Sequence, residues 1–257
     1  MDTPSTLGTS PPLLAPGTRV HLVRAFTKKG VASRTQARDF ILAGRVSVNG
    51  RVEKMMYTWV DLIHDDIRLD GRPLDQYQRP VYILFNKPAG YLTVRVDEQN
   101  RPTIYDVLPD FPQWLFPIGR LDRMSEGLLI LTNDGPFGEW LTNPDSYVEK
   151  TYRVRVHRPL QEPHRMQLEQ GIDLRGYLTR PAQVRILDQG RGEWVEITIC
   201  EGKNRQVRRM FKTLDYLVEK LIRVRIGPVE LGDLAVGAWR PMREEEIDHF
   251  AALRRRS

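Results

Sequence analysis

Cysteine is nearly absent from this sequence, which has Cys200 as its single thiol among 257 residues. One cysteine cannot form an internal disulfide or a cysteine-based zinc site, which fits a reducing compartment. Long hydrophobic runs are also missing, since no apolar stretch approaches the roughly 20 residues that span a bilayer. Residues 1–16 lack the basic start and apolar block of a signal peptide and predict a flexible polar tail. We therefore expect a cytoplasmic protein with no membrane association.

Signatures of nucleotide cofactors and metals are missing too. The sequence has no G-x-x-x-x-G-K loop, no G-x-G-x-x-G fingerprint and no H-E-x-x-H pair. Its five histidines are scattered, at positions 21, 64, 157, 164 and 249. The sequence therefore predicts no metal site and no organic cofactor.

Positive charge is what the sequence has in excess. The formal net charge is +6 and the pI is about 9.5, largely because of arginine, whose planar guanidinium suits phosphates and stacked bases. The stretch from Arg19 to Lys54 has nine Lys and Arg against two acidic residues. These features indicate an anionic partner, and composition alone leaves nucleic acids, acidic proteins and membrane surfaces open.

Local signals in the basic stretch predict a small domain. Ser33 and Gln36 have the spacing of a capping box, and the apolar residues that follow have the spacing of one helical face. Gly44 is suited to end this helix. Asn49-Gly50 and Asp70-Gly71 then predict two tight hairpin turns. We assign the small domain to residues 17–75 and a linker to 76–80.

From residue 81 to 257 the pattern predicts a second domain with longer strands. Apolar runs such as VYILF and GLLILT predict buried strands, and the alternating TYRVRV and EWVEITIC predict half-exposed ones. Because strands and helices do not alternate regularly, we expect an α+β domain with a mainly antiparallel central sheet flanked by helices. Helices are predicted at 136–142, 161–170, 204–215 and 243–254.

One aspartate occupies a position suited to catalysis. Asp122 lies in FPIGRLDRMSEGLLILTNDG, six residues before the predicted buried strand that starts at Leu128. A carboxylate on a loop anchored by the sheet is well placed for chemistry. For an aspartate judged by its position alone, capping a turn or pairing with Arg120 or Arg123 is the more ordinary explanation. Position alone therefore does not support a catalytic role.

Four segments follow one another along the chain: FNKPAGY, GRLDRMSEGLLILTNDG, EKTYRVRV and EGKNRQVRRMF. In this order they resemble the motifs of RNA pseudouridine synthases of the branch that acts on ribosomal RNA. GRLDRMSEGLLILTNDG resembles the motif with the nucleophilic aspartate, and FNKPAGY resembles the lysine-proline-glycine motif. EKTYRVRV resembles the tyrosine motif and EGKNRQVRRMF the basic motif. GVASRTQARDFILAGRVSVNG resembles the RNA-binding domain known from ribosomal protein S4, and it departs from that pattern at RVHLVRAF and at Met55-Met56.

The resemblance implies roles for individual residues. It makes Asp122 the nucleophile, Arg208 its salt-bridge partner and Tyr152 the ring that stacks on the target uracil, with a hydroxyl able to help remove the C5 proton. Without it, Tyr152 is better explained as a core residue, and the basic stripe of the helix from Asn204 as a solvated face. Further substrate or RNA contacts are expected at Arg120, which fills the space of the flipped base, and at Lys87, Lys203, Arg205, Arg209, Leu221, Arg34, Arg38 and Arg45.

The resulting hypothesis is a monomeric isomerase that converts one extruded uridine of ribosomal RNA to pseudouridine without a cofactor. RPTIYDVLP and FPIGRLDRMSEGLLILTNDG favour the large-subunit RNA over the small-subunit RNA. Two other classes of function stay open. A noncatalytic ribosome-assembly protein would be expected to have lost catalytic residues. A glycosidase would need two carboxylates about 5 to 10 Å apart, for which Glu126 is the nearest local partner of Asp122.

Overall fold

The computed structural model describes residues 19–74, 80–187 and 193–256. The chain divides into two compact units, Met1–Gln78 and Arg79–Ser257. The division falls inside the predicted linker 76–80, of which the structure describes Pro80 alone. The predicted tail, residues 1–16, lies outside the described residues.

The N-terminal unit packs two helices on short strands. Two strands form a separate antiparallel ribbon, β1 with β4, and the others form a sheet in the order β3-β2-β5-β6. The elements are β1 (Arg19–His21), α1 (Leu22–Lys28), α2 (Arg34–Leu42), β2 (Val46–Val48), β3 (Arg51–Val52), β4 (Trp59–Asp61), β5 (Ile67–Leu69) and β6 (Arg72–Pro73).

The local signals of this unit are confirmed. The Ser33 hydroxyl accepts from the Gln36 amide at 3.1 Å, and the Gln36 side chain accepts from the Ser33 amide at 3.0 Å, which is a complete capping box. Asn49-Gly50, with φ values of 49° and 78°, joins β2 to β3. Both residues thus adopt the left-handed conformation that the predicted two-residue turn needs. The sequence analysis did not predict α1.

The C-terminal unit is built on one twisted sheet. Its strands run in the order β11-β12-β10-β13-β9-β7-β15, with β14 paired to β13 and β8 paired to β9. Its strands are β7 (Tyr82–Lys87), β8 (Phe116–Pro117), β9 (Glu126–Thr132), β10 (Lys150–Val156), β11 (Gln183–Ile186), β12 (Trp194–Ile199), β13 (Val218–Ile226), β14 (Val229–Glu230) and β15 (Trp239–Pro241).

Pairing in this sheet is antiparallel with one exception among the described strands. β13 lies between β10, to which it is antiparallel, and β9, to which it is parallel. The parallel contact is short and joins Ile222 to Glu126 and Arg223 to Gly127. The predicted α+β class with a mainly antiparallel sheet is therefore confirmed.

Four helices of this unit agree with the predicted ranges to within a few residues. They are α3 (Gly135–Thr142), α4 (Glu162–Gln170), α5 (Gln206–Thr213) and α6 (Glu244–Arg256). The largest difference at a helix start is in α5, which begins two residues later than predicted. Arg205 has a φ of 50°, a left-handed conformation that an α-helix does not continue through.

β9 is buried on both faces, which explains why GLLILT is a continuous apolar run. Leu128 and Ile130 pack in a cluster with residues of α3 and α6. Leu129 and Leu131 point to the other face, where they join a cluster that includes Ile104. The loop that carries Asp122 is therefore attached to the most deeply buried strand of the sheet.

Candidate active site

The Asp122 loop connects β8 to β9 and is tied down at several points. The Asp122 carbonyl accepts from the Ser125 amide at 2.9 Å, which closes a turn. The Thr93 hydroxyl donates to the Leu121 carbonyl at 2.9 Å, and the Gly90 amide donates to the Arg123 carbonyl at 2.8 Å. Because its backbone is fixed on both sides of Asp122, the loop holds the carboxylate in one place.

Lys87, at the end of β7, holds the Asp122 loop through hydrogen bonds to its backbone. Its side chain is fully buried, and its ammonium group donates to the carbonyls of Pro88, Arg123 and Ser125 at 2.9, 3.2 and 2.8 Å. Burial lowers the pKa of Lys87 to about 8, although Glu126 and Asp122 oppose the shift. Lys87 therefore shapes the site, and its buried position does not fit the substrate or RNA contact that the sequence analysis expected.

The lowered pKa of Lys87 makes a prediction about stability. The unfolded state holds the Lys87 proton up to about pH 10.5 and the folded state up to about pH 8, so the folded protein is expected to gain stability as the pH rises between these values. Lys87→Met should lack this gain, which amounts to up to about 3 kcal/mol. The measurement is the free energy of unfolding in urea from pH 7 to pH 10.5 for both proteins.

The difference between the two curves is the informative quantity. Lys150 has a pKa also lowered to about 8, chiefly by burial, and contributes the same gain to both proteins. Its contribution cancels when the two free energies are subtracted. Parallel curves for wild type and Lys87→Met over this range would contradict the prediction.

Two arginines face the Asp122 carboxylate. Arg205 Nη1 lies 3.4 Å from Asp122 Oδ2, and Arg208 Nε lies 4.0 Å from the same oxygen. Arg208 is anchored, since its side chain is 13% exposed and donates to the carbonyls of Val218 at 2.9 Å and Met124 at 3.2 Å. Arg205 is 52% exposed. The predicted partner Arg208 is thus joined at Asp122 by an arginine that the sequence analysis assigned to RNA contacts.

Burial and the neighbouring charge shape the electrostatics of this pair. Desolvation lowers the pKa of Arg208, Arg205 lowers it further and Asp122 opposes both. Arg208 Nε is buried and has no hydrogen-bond partner among the described residues. The guanidinium is therefore positioned to attract the carboxylate while its other nitrogens are held by the backbone.

A buried carboxylate fixes the segment that carries Arg205. Glu201 is 2% exposed and accepts hydrogen bonds from the Tyr177 hydroxyl, the Gln206 side-chain amide and, at 3.1 Å, the Arg180 amide. The Gln206 side chain in turn accepts from the Lys203 amide at 3.0 Å. These bonds set the path of residues 201–206 and explain the turn at Arg205. The sequence analysis did not single out Glu201 or Gln206, although both lie inside EGKNRQVRRMF.

The carboxylate opens into a cleft of about 520 Å³. Tyr152 on β10 and Leu221 on β13 line it, and both are largely buried. The alternation of β10 thus places the Tyr152 ring inward, on the same side as Val154 and Val156. Of the predicted site residues, the structure brings six together here: Asp122, Tyr152, Arg120, Lys203, Arg205 and Leu221. Lys150 and Arg223 also line the cleft and were not predicted.

Other predicted contact residues lie elsewhere. Arg209 donates to the Leu174 carbonyl at 2.8 Å and does not line the cleft. In the N-terminal unit, Arg34 and Arg38 are exposed on α2. Arg45 forms two hydrogen bonds to Asp70, at 3.0 and 2.5 Å, and covers the Phe40 ring.

The arrangement bears on the alternative chemistries. Glu126 forms an ion pair with Lys220 at 3.3 Å and lines a different cavity from Asp122. The two carboxylates therefore do not face a common substrate, as a glycosidase would require.

Within residues 19–74, 80–187 and 193–256, no group of three or more His, Cys, Asp or Glu side chains could hold a metal ion. No helix in the same part of the chain is both long and apolar enough to cross a membrane.

Comparison with known proteins gives consistent matches over most of the chain. The model of the RNA pseudouridylate synthase family matches residues 81–213, and the S4 domain model matches residues 26–54. Ribosomal large subunit pseudouridine synthase B of Bacillus subtilis (strain 168) is 35% identical over 235 residues, 90% of this chain and 96% of the relative. Ribosomal small subunit pseudouridine synthase A of Yersinia pestis is 36% identical over 226 residues, 87% of this chain and 94% of the relative.

A solved structure agrees with these matches. A crystal structure of a pseudouridylate synthase superposes with a TM-score of 0.65 at 33% sequence identity. The superposition covers 90% of this chain and 99% of that chain. The superposition therefore extends over both units of this chain.

Proposed function

Because the chain belongs to the RNA pseudouridine synthase family and has an N-terminal S4 domain, we propose that it isomerises one uridine of ribosomal RNA. We propose Asp122 as the nucleophile. The observation that carries the proposal is the surrounding of Asp122. Its carboxylate lies in the cleft with Tyr152 and Leu221 and faces two arginines at 3.4 and 4.0 Å. A noncatalytic ribosome-assembly protein would not need this arrangement of a carboxylate, two arginines and a tyrosine.

Ribosomal RNA is the proposed substrate because relatives of 35% and 36% identity are named as pseudouridine synthases of a ribosomal subunit. These names include both ribosomal subunits. Within this proposal we favour the large-subunit RNA, on the basis of RPTIYDVLP and FPIGRLDRMSEGLLILTNDG. The S4 domain would hold the folded RNA through basic residues such as Arg34, Arg38 and Arg45, while the larger unit acts on the extruded base.

The proposed chemistry needs no group from outside. The bond between C1′ and N1 of the uridine breaks, the base turns and C1′ bonds to C5. C5 loses a proton and N1 gains one, so atoms and charge balance. In this scheme Asp122 forms an adduct at C1′ or at the pyrimidine ring. Tyr152 stacks on the base, which offsets part of the cost of extracting it from folded RNA.

We propose different tasks for the two arginines at Asp122. Arg208, held by two backbone carbonyls, would keep the carboxylate ionised and aimed throughout the reaction. Arg205 is about half exposed and reaches Asp122 from the cleft side, so an RNA phosphate would compete with Asp122 for it. Substrate binding would then move Arg205 from Asp122 to the phosphate, and Arg208 would remain as the ion-pair partner of Asp122. Arg120, Lys203 and Leu221 would complete the contacts to the RNA and the base.

This division predicts separate effects on turnover and binding. Arg208→Ala should lower the single-turnover rate constant by about 10² to 10³ with little change in Kd, because it removes a preorganised charge at the reacting group. Arg205→Ala should raise Kd and reduce the slope of log Kd against log salt concentration by about 1, because it removes a phosphate contact. Rates and filter-binding titrations on transcribed ribosomal RNA measure both quantities.

Asp122→Asn provides the control for the exchange of Arg205. If Asp122 competes for Arg205, this substitution should tighten RNA binding in the wild-type background and have a smaller effect in the Arg205→Ala background. Equal losses of RNA binding in Arg208→Ala and Arg205→Ala would contradict the division of tasks.

The decisive test of the function is a map of pseudouridine in cells. Carbodiimide-dependent reverse-transcription stops are compared in ribosomal RNA from wild-type cells and from cells that lack the protein. We expect one stop to disappear from the large-subunit RNA and to return when the wild-type gene is supplied. A stop lost from the small-subunit RNA would reverse the subunit preference, and an unchanged set of stops would refute the proposal.

We place the reaction in the cytoplasm and expect a monomer without a metal or cofactor.

A further inference from the structure

The ribbon formed by β1 and β4 has two different faces. Val20 and Val60 are paired across the ribbon and point into the core of the N-terminal unit. His21 and Trp59 are paired on the outer face. Tyr57 precedes β4 and contacts the same histidine. The outer face is therefore a small aromatic cluster, which we define as His21, Tyr57 and Trp59.

The cluster has a fixed geometry. The rings of His21 and Trp59 lie 4.1 Å apart between centroids and are tilted by 37°, and the Tyr57 ring meets His21 edge-on at 5.6 Å. His21 Nδ1 donates to the Tyr57 carbonyl oxygen at 2.8 Å, since a carbonyl can only accept. The histidine ring thus contacts both larger rings and is itself held by the backbone.

Both larger rings are exposed to solvent within the described unit. Tyr57 is 66% exposed and Trp59 is 58% exposed, with residues 19–74 leaving most of each ring uncovered. The same unit does bury aromatic residues elsewhere, since Phe26 is fully buried and Phe40 is covered by the Arg45 guanidinium at 4.6 Å. A fixed and exposed pair of large rings is typical of a binding surface rather than of a core.

The charge of the unit selects the class of ligand. Residues 19–74 have eleven Lys and Arg against six Asp and Glu, so this part of the chain has a net charge of +5 out of +6 for the whole protein. Arg19 lies on the same face of β1 as His21 and is exposed. Aromatic rings combined with positive charge match nucleic acid, because the rings stack on bases while the charges attract phosphates.

We propose that Tyr57 and Trp59 form a stacking site for an unpaired base of the RNA substrate. The ligand is an unpaired nucleotide because the bases of an A-form helix are already stacked, whereas loops, bulges and ends offer free base faces. The site is separate from the Asp122 cleft and rests on the proposed function for its RNA partner. It would let the S4 domain recognise a single-stranded feature in addition to phosphates.

The test uses the full-length protein with two labelled RNA probes, a single strand of about 12 nucleotides and a duplex of the same length. Trp59→Ala is expected to raise Kd for the single strand by about 10-fold and to change Kd for the duplex by less than about 2-fold. The salt dependence of Kd should stay the same, because no charge is removed. Arg34→Ala should instead reduce the salt slope by about 1.

Three variants separate the loss of stacking from a general disturbance of the fold. Trp59→Phe keeps an aromatic ring and should restore most of the single-strand affinity, and Tyr57→Ala should repeat the loss at a second position. Ile63→Ala removes an apolar side chain of the same unit that is 69% exposed and should leave both affinities unchanged. Unfolding in urea checks that each variant is folded.

The outcomes are distinct. Unchanged single-strand affinity in Trp59→Ala would overturn the proposal and point to another occupant such as a protein surface. Equal losses for both probes, or an equal loss in Ile63→Ala, would also overturn it. Failure of the proposed function is recognised separately, because an enzyme that modifies no ribosomal uridine could still bind the single strand through Trp59.

Discussion

Asp122→Asn is expected to lower the single-turnover rate of pseudouridine formation by at least about 10³-fold. An amide has nearly the shape of the carboxylate but is not a nucleophile. The loop should keep its conformation, because the bonds that fix it come from the backbone, from Thr93 and from Lys87 rather than from the Asp122 side chain. RNA binding should become tighter, because the substitution releases Arg205 from its ion pair with Asp122.

The measurement combines purified protein and cells. Rates are followed on transcribed ribosomal RNA, and the variant gene is tested for its ability to restore the reverse-transcription stop in cells that lack the protein. Asp110→Asn serves as a control, since it makes the same chemical change at an exposed position that does not line the cleft. An Asp122→Asn enzyme that restores the stop would show that another residue is the nucleophile.

Gly127→Ala is expected to reduce the free energy of unfolding by about 3 kcal/mol or more. Gly127 has a φ of 102°, and a Cβ added there would lie 2.3 Å from the Arg223 carbonyl oxygen and 2.8 Å from the Arg223 amide nitrogen. Those atoms belong to the strand with which β9 makes its short parallel contact. Because backbone cannot turn aside as a flexible side chain does, the strands must separate.

Gly176→Ala is a matched control for this prediction. Gly176 has a similar φ of 88°, but a Cβ there would meet nothing within 4 Å, so the substitution adds backbone strain of about 1 to 2 kcal/mol without a collision. Urea unfolding of both variants isolates the close approach of β9 and β13. Equal stability of the two variants would contradict it. We also expect Gly127→Ala to lose activity, since the strand end that anchors Asp122 would shift.

Features with short-range causes were predictable from the sequence. The capping box of Ser33 and Gln36 and the turn at Asn49-Gly50 depend on neighbouring residues alone, and both are confirmed. The continuous apolar run GLLILT predicted a buried strand. The prediction held because β9 is covered on both faces and needs apolar residues on each. The helix α1 was missed because it has seven residues and no side-chain cap, and its stability comes from burying Leu22, Ala25 and Phe26.

The site was less predictable because it depends on contacts between distant segments. The motif resemblance put Arg208 with Asp122, but nothing local indicated that Arg205 would reach the same carboxylate. Its position follows from the hydrogen bonds that Glu201 and Gln206 make within and beyond their segment. The burial of Lys87 was equally hard to predict. A lysine at the end of a strand usually extends to solvent, whereas here its ammonium group is buried and donates to three carbonyls.

The position of β13 has a consequence for the order in which the protein folds during synthesis. β13 is made after β7, β9, β10 and β12, yet it is the strand that joins β9 and β7 to β10 and β12. Until the ribosome has released residues 218–226, the two halves of the sheet have no shared strand, and Asp122 and Tyr152 belong to separate pieces. Such long-range pairing slows folding. The nascent chain is therefore expected to be inactive until late in translation, and recovery of activity during refolding would report closure of the whole sheet.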